Sequence, residues 1–256
     1  MNTGAMADKD AAGFDAWYAD MARSDVKNQI VRRRIDLPPE VPATGLLDRA
    51  ALGEVTAALR LRPGETLLDL GCGRGGYVLE IARRAGADLI GVDFSAEAVR
   101  QATVLAAELG RTALFRVGDL AATGLPAGSA DAVVCIDAIQ FAAPATAAYA
   151  EIARVLRPSG RVVITTWTAA VDAPDEVPDR LRGVDPGAGL RGAGLTDVTV
   201  TERADWRIRE RALWEDAVAL DPAGDPALQS FHDEGVRSLG TWDHLHRVLV
   251  TATRRR

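Results

Sequence analysis

Between residues 65 and 167 the chain alternates between short runs that are apolar at nearly every position and longer stretches with apolar residues three and four apart. The runs TLLDL (66–70), DLIGVD (88–93), ALFRVGD (113–119), DAVVCID (131–137) and RVVITTW (161–167) predict strands. The stretches GYVLEIARRAG, SAEAVRQATVLAAELG and TAAYAEIARVLR between them predict helices. Strands without a polar face are covered by helices on both sides, which suits parallel pairing. The expected fold class is therefore α/β, an open, doubly wound, Rossmann-like sheet.

On either side of this core the pattern changes. FDAWYADMA (14–22) and LLDRAALGEVTAALR (46–60) have helical spacing, and the Pro-rich IDLPPEVPATG joins them. Residues 1–45 read as an N-terminal helical cap and linker, and residues 46–256 as the main domain of a single structural unit. Beyond residue 167 follow a Pro/Asp-rich stretch, a strand pattern in TDVTVTERADW, an acidic helical region at 214–234 and a final strand, HLHRVLVTAT. No internal repeat is visible.

Composition narrows the function. A net charge of -6 gives none of the basic footprint that nucleic-acid binding needs. The arginine runs at 32–34 and 254–256 are too short to change that and read as solvated surface. Cys72 and Cys135 both fall in apolar or glycine-rich surroundings without metal-ligand spacing, so neither a disulfide nor a metal site is expected. No apolar run reaches the roughly 18 residues of a membrane span and the first residues show no leader pattern, so the expectation is a soluble, cytoplasmic protein, monomer or homodimer. Scarce lysine beside abundant arginine and alanine is the bias of GC-rich bacterial genomes.

The candidate chemistry starts at LLDLGCGRGGY, a strand, a tight turn and a helix start. Glycine lets a ligand approach the backbone and lets the turn reach positive φ, and the helix start supplies free N–H groups. Gly71, Gly73 and Gly76 satisfy the dinucleotide fingerprint GxGxxG, and Asp93 stands where that fingerprint expects an acid, about 20 residues on. A nicotinamide-dependent oxidoreductase is thus one reading. Two features favour another. Asp69, just ahead of the glycines, would repel a pyrophosphate but attract an ammonium. Asp119, after Gly118, adds a third acid at a strand end, placed to accept from an adenine amino group while Asp93 accepts from ribose hydroxyls.

With these residues the chain resembles the class I S-adenosylmethionine (SAM) dependent methyltransferases, of the small-molecule, type 11-like kind. DLGCGRG is similar to the family's motif I, GVDFS to motif II, VGDL to motif III, ADAVVCIDAIQF to motif IV and EIARVLRPSGRVVITTW to motif V and the following strand. The resemblance covers roughly 46–167 and continues more loosely to the end. It implies a seven-stranded mixed sheet in the order 3-2-1-4-5-7-6, with HLHRVLVTAT as the antiparallel strand 7, and SAM as cofactor with S-adenosylhomocysteine (SAH) as product. It also implies that Phe94 packs on the adenine, that Leu120 lines the same pocket, and that the first helix closes over the site with Tyr18 as cap.

The acceptor side is less determined. Ligands of open α/β sheets bind beyond the strand ends, so Asp137 to Phe141 should lie near the sulfonium. Many relatives have a histidine where DAIQF has Gln140 or Phe141. Here Gln140 can orient an acceptor but not act as base, and His232, in the acidic region that would roof the substrate, is the base candidate. His244 and His246 alternate on a strand pattern, and Trp17, Trp167, Trp206 and Trp214 serve the core or an acceptor. The expected partner is a small molecule, an O- or N-acceptor in natural-product biosynthesis, with neither nucleic acid nor membrane involved. A SAM-binding protein or pericyclase without methyl transfer is the third reading.

Overall fold

The computed structural model describes residues 11–23, 30–31, 34–38, 41–42 and 45–256, with side chains from 20 to 23 left aside. The start of the chain, Arg32, Arg33 and part of the Pro-rich linker lie outside the described residues. Helix α1 spans Ala11–Arg23 and α2 spans Arg49–Leu59. The core then runs β1 (Thr66–Leu70), α3 (Gly76–Ala85), β2 (Asp88–Asp93), α4 (Ala96–Glu108), β3 (Leu114–Val117), β4 (Ala130–Ile136), α5 (Ala145–Val155) and β5 (Leu156–Ala169). Short helices α6 (Asp179–Arg182) and α7 (Pro186–Gly192) lead to β6 (Thr196–Glu202), α8 (Ala204–Val218), α9 (Pro226–Gly240) and β7 (Leu245–Thr253).

The seven strands form one sheet in the order β3-β2-β1-β4-β5-β7-β6, as the resemblance implied. Strand β7 is antiparallel to both neighbours, and the other pairs are parallel. Side chains alternate across the sheet. Leu67, Val134 and Val163 pack with α2, α3 and α8 on one face, while Leu68, Val133, Cys135 and Ile164 pack with α5 and α7 on the other. Both faces are covered, which is why the strands carry no polar side.

Element ends correct the sequence pattern in three places. The helix expected through Arg157 stops at Val155, because Leu156 already pairs with Ala130 of β4. The strand read through TDVTVTERADW ends at Glu202, and its last residues start α8. His244 belongs to a 3-10 turn rather than to β7, so it does not share a strand face with His246. Two members of the arginine runs are not merely solvated: Arg34 pairs with Asp216, and Arg254 donates to the carbonyls of Arg154 and Leu156.

Candidate active site

The end of β1 and the turn after it form the floor of a cleft. Gly71, Gly73 and Gly75 have φ of 78°, 51° and 78°, a region that side chains other than glycine rarely adopt. The turn is pinned to β2, with Gly71 N–H and Cys72 N–H donating to the Val92 carbonyl at 2.8 and 3.1 Å. A Cβ at Gly71 would stand 2.3 Å from that of Ala138, so at this point the β1 and β4 turns close on each other.

Asp93 ends β2 and is buried. Its Oδ2 accepts from Gly73 N–H at 2.8 Å and its Oδ1 from Ser95 N–H at 2.9 Å, so it ties the glycine turn to the start of α4. Asp69 is equally buried, and its Oδ1 has no hydrogen-bond partner. Burial, reinforced by Asp93, pushes the Asp69 carboxyl well above the usual carboxylate range, and burial also raises Asp93. The cleft is thus a buried acidic site whose floor is backbone.

Helix α1 is docked across it. Asp15 accepts from Ser95 Oγ and from Glu97 N–H at 3.1 Å, and Gln101 donates to the Tyr18 carbonyl at 3.1 Å. Phe14 meets Phe94 edge to face at 5.0 Å and Phe141 at 5.3 Å. Tyr18 is buried, and burial together with the nearby Asp93 pushes its phenol well above its ordinary value. The lining includes Tyr18, Asp69, Gly71, Asp93, Phe94, Leu120 and Asp137, which sequence reasoning selected from across the first 137 residues. Gly73 and Gly118 stand behind it, each donating its N–H to Asp93. Asp119 is exposed, is not part of the lining, and spends Oδ1 on Ala121 N–H at 2.7 Å.

A second recess adjoins the first, and Trp17, Gly45, Asp137 and Phe141 line both. Its walls include Gln140, Trp167, Trp214 and Phe231. Gln140 has both amide ends engaged, donating to the Asp137 carbonyl at 2.7 Å and accepting from Thr166 Oγ1 at 3.0 Å. His232 does not line the recess, which corrects its assignment as base. Helical spacing turns Phe231, Glu234 and Ser238 of α9 inward, while the His232 ring meets Asp233 at 3.2 Å. Trp206 is fully buried in the core. No group of three or more metal-type ligands occurs among the described residues.

At the junction of the two recesses sits a buried ionic group that the sequence did not announce. Arg247, fully buried on β7, holds both oxygens of Asp137, with Nη2 at 2.8 Å from Oδ2, and donates from Nε to Glu210 at 2.9 Å. Asp137 has φ of 53° and also accepts from Thr165 Oγ1 at 3.0 Å. Burial pushes Glu210 up to about 7 against the opposing pull of Arg247, and its Oε2 has no hydrogen-bond partner. The available signal was weak, a lone charge within HLHRVLVTAT.

Comparison with known proteins agrees with this geometry. Residues 68–164 match the family model described as a methyltransferase domain. The nocamycin O-methyltransferase of Saccharothrix syringae is 40% identical over 107 residues, covering 41% of this chain and 38% of that protein. The demethylmenaquinone methyltransferase of Beutenbergia cavernae is 34% identical over 146 residues, 57% of this chain and 58% of the relative. The chain therefore spans less than two thirds of the length of either relative. The [4+2]-cyclase SpnF shares the fold, with a TM-score of 0.68 at 22% identity over 80% of each chain. Through residues 68–164 and the sheet they build, the chain is similar to the class I SAM-dependent methyltransferases.

Proposed function

We propose that this protein transfers a methyl group from SAM to an oxygen or nitrogen atom of a small-molecule acceptor, a biosynthetic intermediate, with SAH as product. The observation that carries this is the buried Asp69, its Oδ1 unpartnered in a cleft that also holds Asp93. Two acids that repel each other in a desolvated site suit a cationic ligand and disfavour a pyrophosphate. Gly71 lets the β1 and β4 turns close on each other at the cleft floor, where a Cβ would collide with Ala138. The residues fit SAM. Asp69 would hold its ammonium, Asp93 its ribose, and Phe94 and Leu120 its adenine, with Tyr18 closing over the top.

When bound, SAM supplies a methyl group on a sulfonium, displaced in line with a neutral thioether as leaving group. The chain's own residues then have to position and desolvate. The docked α1 excludes water, and the Asp137–Arg247 pair makes a rigid wall between cofactor cleft and acceptor recess. Isothermal titration calorimetry tests the cofactor reading. Saturable SAM and SAH binding with no NADH binding is expected, and the reverse would overturn it.

A second reading, cyclisation without methyl transfer, draws on the internal engagement of Gln140 and Asp137, which leaves the acceptor recess without an evident base. SAH release with a converted acceptor excludes it. A converted acceptor of unchanged mass would establish it instead.

A further inference from the structure

Aromatic residues are 5% of the sequence, yet four of its five tryptophans, Trp17, Trp167, Trp214 and Trp242, line the acceptor recess beside Phe141 and Phe231. Trp167 and Trp242 meet edge to face at 4.9 Å, and Trp214 and Phe231 lie 5.6 Å apart. Such a wall suits either another ring or a cation.

Charge decides between them. At the inner end Asp137 is paired with Arg247, whose second acid, Glu210, is lifted to about 7 by burial and does not line the recess, and Gln140 has spent both amide ends. At the outer end Arg180 and Glu234 contribute one charge of each sign, with the Arg180 guanidinium 5.4 Å from the Phe141 ring centroid. The recess therefore presents no net charge to repay the burial of a phosphate or an ammonium. At this inner end one acceptor position remains. A carboxylate offers about four lone-pair sites, and Asp137 uses Oδ1 for Arg247 and Thr165 but Oδ2 for Arg247 alone. Oδ2 also faces Gly45, 3.5 Å from where a Cβ would sit, at the junction of cleft and recess. Outward, the recess of about 200 Å³ meets another of about 490 Å³ through shared Arg180, Leu181, Glu234 and Ser238, leaving space for substituents.

We propose that the acceptor is an uncharged, ring-bearing, largely apolar molecule whose hydroxyl donates to Asp137 Oδ2, and not a phosphorylated or quaternary ammonium compound. This rests on the methyl-transfer reading.

The test is calorimetric titration of the SAH-saturated protein with 2-naphthol, 6-hydroxynaphthalene-2-sulfonate and choline. Saturable binding of 2-naphthol is expected, at least about tenfold tighter than either charged probe. Choline or the sulfonate binding as tightly, or 2-naphthol failing to bind while SAH binds, would overturn the proposal and leave the cofactor reading standing. Failure of SAH itself to bind sinks the function on which the proposal depends. Trp214→Leu places the site: 2-naphthol should bind about fivefold or more weakly with SAH affinity unchanged, and undiminished 2-naphthol binding would put the ligand elsewhere.

Discussion

Asp69 and Asp93 show how one residue type takes two roles on adjacent strands. Asp93 is committed to backbone through Gly73 and Ser95, whereas Asp69 keeps an unpartnered oxygen. Asp93→Ala should weaken SAH binding by about tenfold to hundredfold, the loss of hydrogen bonds to a charged group, with far-UV circular dichroism unchanged; undiminished affinity in calorimetry would contradict the ribose role. Because the Asp69 carboxyl is lifted by burial and by Asp93, it protonates at higher pH than an ordinary aspartate. SAM affinity should therefore begin to fall on acidification above the usual carboxylate range, and a flat profile down to that range would remove Asp69 from ammonium binding. Gly71→Ala places a methyl 2.3 Å from Ala138 at positive φ, so urea denaturation should show a loss of about 1–3 kcal/mol. These residues were legible in sequence because a strand end, a glycine turn and an acid are adjacent in the chain. Arg247 and Glu210 were not, since each acquires its meaning only from partners far away in sequence.

At the scale of elements, the cap helix is held by an aromatic cluster and a polar clasp. Asp15 bonds Ser95, the residue that itself caps α4 by accepting from Ala98 N–H at 3.1 Å. Asp15→Ala should release α1, at a cost of about 0.5–2 kcal/mol typical of a lost cap. Limited proteolysis should then cut within α1 sooner than in the wild-type protein, and SAH should restore protection; an unchanged digestion pattern would show that the aromatic cluster around Phe14 suffices. Helix periodicity identified α1 as an element and the resemblance pointed to Tyr18 as its cap, but only docking reveals that Phe14 enters the cleft beside it. The same limit explains His232. Position within α9 was readable, but which face turns inward depends on how α9 packs on α8, and that packing selects Phe231 and Gly235.

For the whole molecule, the group Asp137–Arg247–Glu210 links the sheet, the roof and both recesses. Glu210 has a folded value raised from 4.5 to about 7, with burial the largest cause. Between these limits the folded state holds a proton that the unfolded chain has released, so stability falls as pH rises across that window and levels off above about 7. Glu210→Gln retains an oxygen for Arg247 and cannot ionise. Its melting temperature relative to wild type should therefore rise by a few degrees between about pH 5 and pH 8, and a difference independent of pH would show that Glu210 does not titrate in this window. Glu80 behaves oppositely, held at about 2 chiefly by hydrogen bonding from Arg83; its contribution is present above the unfolded value of 4.5 and lost as pH falls through about 2.

What the chain determined by itself is whatever depends on neighbours in sequence: the strands and helices, the parallel core, the glycine turn with Asp69, and the acid ending β2. Apolar periodicity and turn chemistry act over a few residues, so they are written locally. Tertiary structure decided what depends on register. Arg247 pairs across the sheet with Trp167 and reaches Asp137, 110 residues away in sequence. Four tryptophans from α1, β5, α8 and the 3-10 turn before β7 converge on one recess. A guanidinium can be buried where opposite charge and hydrogen-bond acceptors satisfy it; here two acids and two indole faces do so, brought together by the packing of β7 against β5 and α8, not by any segment alone.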